Sequence, residues 1–179
     1  MKIEKSNLKT EAIFSDDKKS RFLLKKEWDS KKLKAMVLMI NPSTADEIQI
    51  DFTTLYTINN LSKLGYGSVD ITNLYSHVGA LRTKEESKEM KDENIKHILS
   101  SAEKVDSIIL AYGSVGENSK GIQEQISNIL TALKPFNEKI FYIGNGFDKI
   151  GLHPLAPAIR HKWNLVNIEN INKSENGGN

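Results

Sequence analysis

Residues 34–40 read KAMVLMI, and every position from Ala35 to Ile40 is apolar. The run is far too short to span a membrane. In a strand, side chains alternate between the two faces, so a run with no polar position has to be covered on both sides. That requirement calls for a layered fold with helices above and below a sheet. Asn41-Pro42 ends the run, because proline cannot donate to a strand ladder.

The rest of the chain supplies those layers. Phe52, Leu55, Tyr56, Ile58, Leu61 and Leu64 recur at helical spacing and stop at Gly65. SVDITNL (68–74) reads as the next strand. Thr83 with Glu86 forms a capping-box pattern opening a charged helix that runs to about Lys104. SIILAY (107–112) is a strand, 121–134 a helix, and KIFYI (139–143) another strand. Before all of these, Thr10–Ser15 and Arg21–Trp28 flank the polar turn DDKKS, the pattern of a β-hairpin. Strand and helix in alternation mean parallel strands joined by right-handed crossovers. The expectation is a three-layer α/β/α fold. Its central four-stranded parallel sheet would lie near 35–40, 69–74, 106–112 and 139–144, with the N-terminal β-hairpin added. No repeat or linker divides the chain, so residues 1–170 are expected to form one domain and INKSENGGN (171–179) a disordered tail.

Composition narrows the chemistry. The 179 residues are 27% charged and 39% hydrophobic, as in a soluble globular protein. The absence of cysteine excludes disulfides, zinc fingers, iron–sulfur clusters and thiol nucleophiles. His77, His97, His153 and His161 have no ligand-like spacing, so neither a metal nor another cofactor is expected. The first residues lack the apolar middle of a secretion signal, and no stretch is long enough to enter a membrane. The expectation is a cytoplasmic protein, a monomer with no membrane partner. Residues 1–34 hold eleven Lys/Arg against six Asp/Glu, whereas the remainder holds fourteen against seventeen. A basic arm on a near-neutral body suits a polyanion such as DNA, although a solvated lysine surface reads the same way.

In parallel sheets, ligands bind beyond the carboxyl ends of the strands. Those ends carry Asn41-Pro-Ser-Thr-Ala-Asp46, Asn73-Leu-Tyr-Ser-His77, Gly113-Ser-Val-Gly116 and Gly144 to Pro157. They are rich in amides, hydroxyls and glycines, with His153 in a loop stiffened by two prolines. Asn73 presents the matched donor and acceptor that read a base edge. Neither a Walker nor a Rossmann phosphate loop follows any strand, and Ser43 lacks the elbow of a serine hydrolase. Each residue also has a plainer role. Asn41 before proline forms turns, Asp46 caps them, Asn73 closes a strand end, and the Gly113–Gly116 pair permits a bend.

Four stretches carry a resemblance: SRFLLKKEWDSKKLKAMVLMINPSTAD, DFTTLYTINNLSKLGYGSVDITNLYS, ILAYGSVG and GLHPLAP. Together they resemble a bacterial and phage family of unknown function whose hallmark is N-P-S-T-A-D. More distantly, they are similar to the mismatch-specific branch of the uracil-DNA glycosylase superfamily. Ile40-Asn41-Pro42 resembles its first motif, Ile71-Thr72-Asn73 its pyrimidine-reading asparagine, and His153-Pro154-Leu155 its late histidine loop. The resemblance implies a monofunctional DNA glycosylase that flips a base and leaves an abasic site. Asn41 would place the water, with Asp46 as the alternative general base and Asp51 in reserve. His153 would support the departing base. Asn73 would read that base, with Phe52 or Tyr56 stacking on it. Ser43, Thr44, Gly113, Ser114, Leu155 and Arg160 would contact base or DNA, Leu155 as the wedge filling the vacated stack.

The uracil-specific branch has a bulky tyrosine just after the first-motif proline. Here Ser43, Thr44 and Ala45 leave that wall small, so a C5-substituted pyrimidine is the expected substrate. Such bases occur in phage genomes, which points to antiphage defence. Two rival readings of the same rim are a module that sequesters a nucleotide or nucleotide-derived messenger, and a nucleoside or nucleotide glycosidase.

Overall fold

The computed structural model describes residues 1–79, 86–113, 119–146 and 151–169. Seven strands make one sheet: β1 (Lys9–Phe14), β2 (Arg21–Glu27), β3 (Leu33–Met39), β4 (Tyr66–Asn73), β5 (Ser107–Leu110), β6 (Ile140–Gly144) and β7 (Asn164–Asn167). Their spatial order is β1-β2-β4-β3-β5-β6-β7, which puts the apolar run of β3 in the middle. Among the described residues, three α-helices accompany the sheet, α1 (Phe52–Lys63), α2 (Lys88–Lys104) and α3 (Lys120–Leu133), and a 3-10 turn, Lys134–Lys139, follows the last. The fold is mixed α/β.

Pairing is parallel between β4 and β3, β3 and β5, and β5 and β6. It is antiparallel for β1–β2, β2–β4 and β6–β7. The sheet is therefore wider than the four strands expected from the sequence. The hairpin β1–β2 is not an appendage, because β2 continues the sheet through β4. β7 extends the other edge. Its sequence NLVN has two apolar residues, too few for a strand signal, and its partner is supplied by β6.

Alternation along β3 divides the core. Ala35, Val37 and Met39 join Leu61 of α1, Ile143, Ile159 and Trp163 on one face. Met36, Leu38 and Ile40 join Ile98 and Ala102 of α2 and Ile122, Ile129 and Leu133 of α3 on the other. Ala35 to Leu38 are at most 1% exposed. Each large apolar side chain so buried contributes about 1.5–3 kcal/mol.

Two local features aim side chains at the site. β2 carries one extra residue, since Ile13 pairs with Leu23 but Phe14 with Arg21. The bulge reverses the alternation. Phe22 stacks on His97 of α2 at 5.0 Å, and Arg21 turns to the α1 side that Leu24 also faces. The second feature is capping. The Asp51 carboxylate accepts from Thr54 N at 2.8 Å and starts α1, while Ser87 Oγ accepts from Met90 N and starts α2. The helix expected from Thr83 thus begins later. Thr83 itself lies outside the described residues, as do Ser114, Gly116 and the tail 171–179. Glu86 does not act as a capping-box residue. Its Oε1 accepts from Ser76 N, Ser76 Oγ and His77 N at 2.6, 2.9 and 3.0 Å, which ties down the turn leaving β4. No helix among the described residues is long and apolar enough to cross a membrane.

Candidate functional site

Because β3, β4, β5 and β6 run the same way, their carboxyl ends share one rim. β2 runs opposite to β4, so its first residue, Arg21, stands at that rim too, with Arg21 N donating to Ser76 O at 2.8 Å.

The segment after β3 is held from below by two buried cations. Arg21 is 2% exposed, and its Nη1 donates to Ala45 O and, at 3.5 Å, to Ser43 O. Lys26 is 1% exposed, and its Nζ donates to Asp46 O at 3.0 Å, Glu47 O at 3.4 Å and Thr10 Oγ1 at 3.3 Å. Burial pulls the Arg21 guanidinium down to about 10 against the charges of Asp51 and Asp46, and it lowers Lys26 as well. Sequence reasoning missed both residues. Lysine and arginine in a hairpin strand read as surface, and only the bulge and the β2–β4 pairing turn them inward.

On this platform the loop residues fall into distinct roles. Asn41 and Ser43 are half-buried and Thr44 is exposed. Ser43 Oγ accepts from Ala45 N at 3.3 Å, and Ala45 is 2% exposed in the α1-side core. Ala45 thus lies beneath the loop and does not line open space, which leaves Ser43 and Thr44 as the small residues facing outward. Asp46 Oδ1 accepts from Ile48 N at 2.8 Å and Gln49 N at 2.6 Å, and these donors hold its carboxyl below the ordinary range. That is the geometry of a turn-forming aspartate, the plainer of its two expected roles. Asp51 spends one oxygen on the α1 cap, and its charge acts on both Arg21 and His153.

Asn73 lies opposite Met39 in the parallel register, so its side chain is on the α1 face with Arg21 and Ala45. It is 1% exposed, and neither its Oδ1 nor its Nδ2 has a hydrogen-bond partner. An unsatisfied buried polar group costs about 1–3 kcal/mol, so an amide left open at both atoms needs a reason.

His153 reaches the same face. Its loop packs on the α1-side core through Leu152 and Ala156. Gly113, at φ +66°, lies against it, and a Cβ there would sit 3.0 Å from the His153 Cβ. Glycine at 113 therefore serves close packing of the histidine. His153 Nδ1 accepts from Leu155 N at 3.2 Å, which leaves the proton of the neutral ring on Nε2. Burial lowers its pKa, opposed by the Asp51 charge, and favours that neutral form.

The remaining candidates lie along α1. Phe52 is 70% exposed, and its ring is 6.4 Å from Tyr56. Tyr56 also meets the Arg160 guanidinium at 5.7 Å and the His161 edge at 5.5 Å. Arg160 Nη2 donates to Leu155 O at 3.1 Å, and Leu155 is 37% exposed. Among the described residues, no three His, Cys, Asp or Glu side chains gather as a metal ion would require. One large open groove of about 900 Å³, beside Lys5, Lys9, Trp28 and Lys31, lies at the other end of the sheet.

A family model described as a protein of unknown function (DUF1643) matches residues 21–155, and the chain belongs to that family. No curated protein and no solved structure matches it.

Proposed function

We propose that this member of a family without an assigned activity is a monofunctional DNA glycosylase. It would hydrolyse the N-glycosidic bond of a C5-substituted pyrimidine and leave an abasic site, a reaction suited to antiphage defence. The observation that carries the reading is Asn73. Its amide is buried, open at both atoms, and on the same face of the rim as the histidine loop. A flipped pyrimidine would satisfy both atoms at once, offsetting the cost of leaving them empty.

The chemistry follows from the bond to be broken. As C1′–N1 breaks, its electron pair moves onto the base and positive charge develops on the sugar. A neutral Nε2–H of His153 donates toward the base oxygen that gains charge, without needing to transfer its proton. Asn41 orients the attacking water, whose oxygen forms the new bond to C1′. The water proton passes to the second oxygen of Asp51, preferred over Asp46 because the Asp51 charge also acts on His153. Ser43 and Thr44 border the C5 edge and bond a polar substituent there. The run of parallel strands β4-β3-β5-β6 supports the distant likeness to the glycosylase superfamily, and so does the rim position of its three motifs.

The test is a release assay over DNAs that differ only in the pyrimidine: uracil, thymine, 5-hydroxymethylcytosine and glucosylated cytosine, followed by alkali. Breaks at C5-modified positions are expected, at a higher rate than at uracil. Robust uracil release with none from modified bases would overturn the C5 assignment. Tight binding of a free nucleotide with no release from any DNA would favour a sequestering module instead.

A further inference from the structure

The two segments that pack together outside the α1-side core, 52–65 and 151–163, contain no Asp or Glu. They do contain Lys63, Arg160 and Lys162, together with His153 and His161. Other stretches, such as 30–45 with Lys31, Lys32 and Lys34, also lack carboxylates, but these two segments pack against each other beside the candidate site. Local contacts join the cations and aromatics into one ridge. Phe52, Tyr56 and Lys63 fall on one stripe of α1 at helical spacing. Tyr56 meets the Phe52 ring, the Arg160 guanidinium and the edge of His161. Lys63 Nζ donates to His161 O at 3.2 Å, and Asn60 Nδ2 donates to Arg160 O at 2.9 Å. Phe52, His161, Lys162 and Lys63 are exposed.

α1 begins at the rim beside Asp51 and runs away from it, so the ridge leads from the candidate site down the outer side of the domain for about 16 Å. A hydrophobic ring left 70% open at the mouth of a site, backed by a second ring and a guanidinium, is a surface for a flat partner. Cations without intervening carboxylates suit a phosphate chain. Flat faces and regularly spaced phosphates are available together only where bases are unstacked, which excludes an intact duplex.

We infer that the α1 ridge binds single-stranded DNA flanking the target nucleotide, with an unpaired base stacked on the open ring of Phe52, which Tyr56 backs, and phosphates tracked by Lys63, Arg160 and Lys162. The inference rests on the nucleic-acid part of the glycosylase reading but not on base release, so ordinary DNA tests it. Fluorescence anisotropy with a labelled oligodeoxynucleotide of unmodified bases is measured for the single strand and its duplex over a range of salt. Single-strand affinity is expected to be at least about tenfold higher and to fall steeply with salt. Phe52→Ala removes one stacking ring from an exposed position and is expected to weaken single-strand binding about 5- to 100-fold. Lys162→Glu is expected to weaken binding and flatten the salt slope, whereas Lys31→Glu, at the other end of the sheet, is expected to leave both unchanged. Equal affinity for strand and duplex would overturn the inference. So would no change in Phe52→Ala, or an equal loss in Lys31→Glu and Lys162→Glu, which would place binding on the N-terminal basic arm. Binding that behaves as expected while no DNA loses a base would sink the glycosylase reading and leave the ridge standing.

Discussion

Two buried asparagines meet at the end of β4, and they are used in opposite ways. Asn94, from α2, donates its amide to Asn73 O at 2.9 Å and Leu74 O at 3.3 Å, and Gln125 of α3 adds a third donation to Leu74 O. The α2–α3 face therefore uses its polar side chains to satisfy backbone where the strand ends. Asn73, on the α1 face, leaves both side-chain atoms unpaired. The α1 face also buries Arg21 and Lys26 with carbonyls as partners, whereas the α2–α3 face is closed by Leu, Ile and Ala. Both faces leave buried atoms unpaired, Asn94 Oδ1 and Thr72 Oγ1 on the α2–α3 side among them, but among the described residues only the Asn73 amide is open at its donor and its acceptor alike.

Four measurements would break or sharpen this contrast. The largest effect is expected from Asn73→Ala: base release should fall about 10²- to 10³-fold, while unfolding free energy stays level or rises. Unfolding of this variant, with normal release from the fraction that remains folded, would reverse the assignment of the two asparagines. Asn94→Ala should do the opposite, losing about 1–3 kcal/mol in denaturant titrations with the rate per folded molecule preserved. Asp51→Ala tests the start of the α1 face. Loss of its cap on Thr54 N should cost about 1 kcal/mol and lower the release rate as well, because the same carboxylate is the proposed base. A stability loss with an unchanged rate would remove Asp51 from the mechanism.

The smallest effect concerns His153, whose pKa in the folded protein lies below the ordinary 6.5 because its ring is buried. Folding favours the neutral ring, so this contribution to stability is complete above pH 6.5 and is lost as pH falls through the folded value. A ring titration followed by NMR should show the low midpoint, and His153→Asn should flatten the acid-side fall in melting temperature. A midpoint at or above 6.5 would remove the neutral donor from the mechanism.

The parts of this molecule that can be read from its sequence are those with a local pattern. β3 follows from six apolar residues, α1 from its spacing and Gly65, and the rim candidates from their places after strands. β7 and the width of the sheet depend on pairing between distant segments and leave little trace in a four-residue strand. The inward turn of Arg21 depends on a bulge that no composition announces. Asn73 was recognisable as a strand-end amide, but whether it was satisfied could not be known without its neighbours. Asp46 shows the converse: the same type of residue at a similar position proves to be bonded to its own turn.

The rung that pairs Gly144 with Asn164 closes the 19 intervening residues, His153 among them, into a ring fastened where it leaves the sheet and where it returns. A closed ring has already met the entropy of bringing its ends together, and each doubling of its length adds only about 0.6 kcal/mol. The strand that fastens it lies beyond the span matched by the family, which ends at residue 155. Chain trimmed back to that span would keep the rim motifs but free one end of the ring. The histidine would then hang on a tether, and its alignment would have to be found again in every encounter.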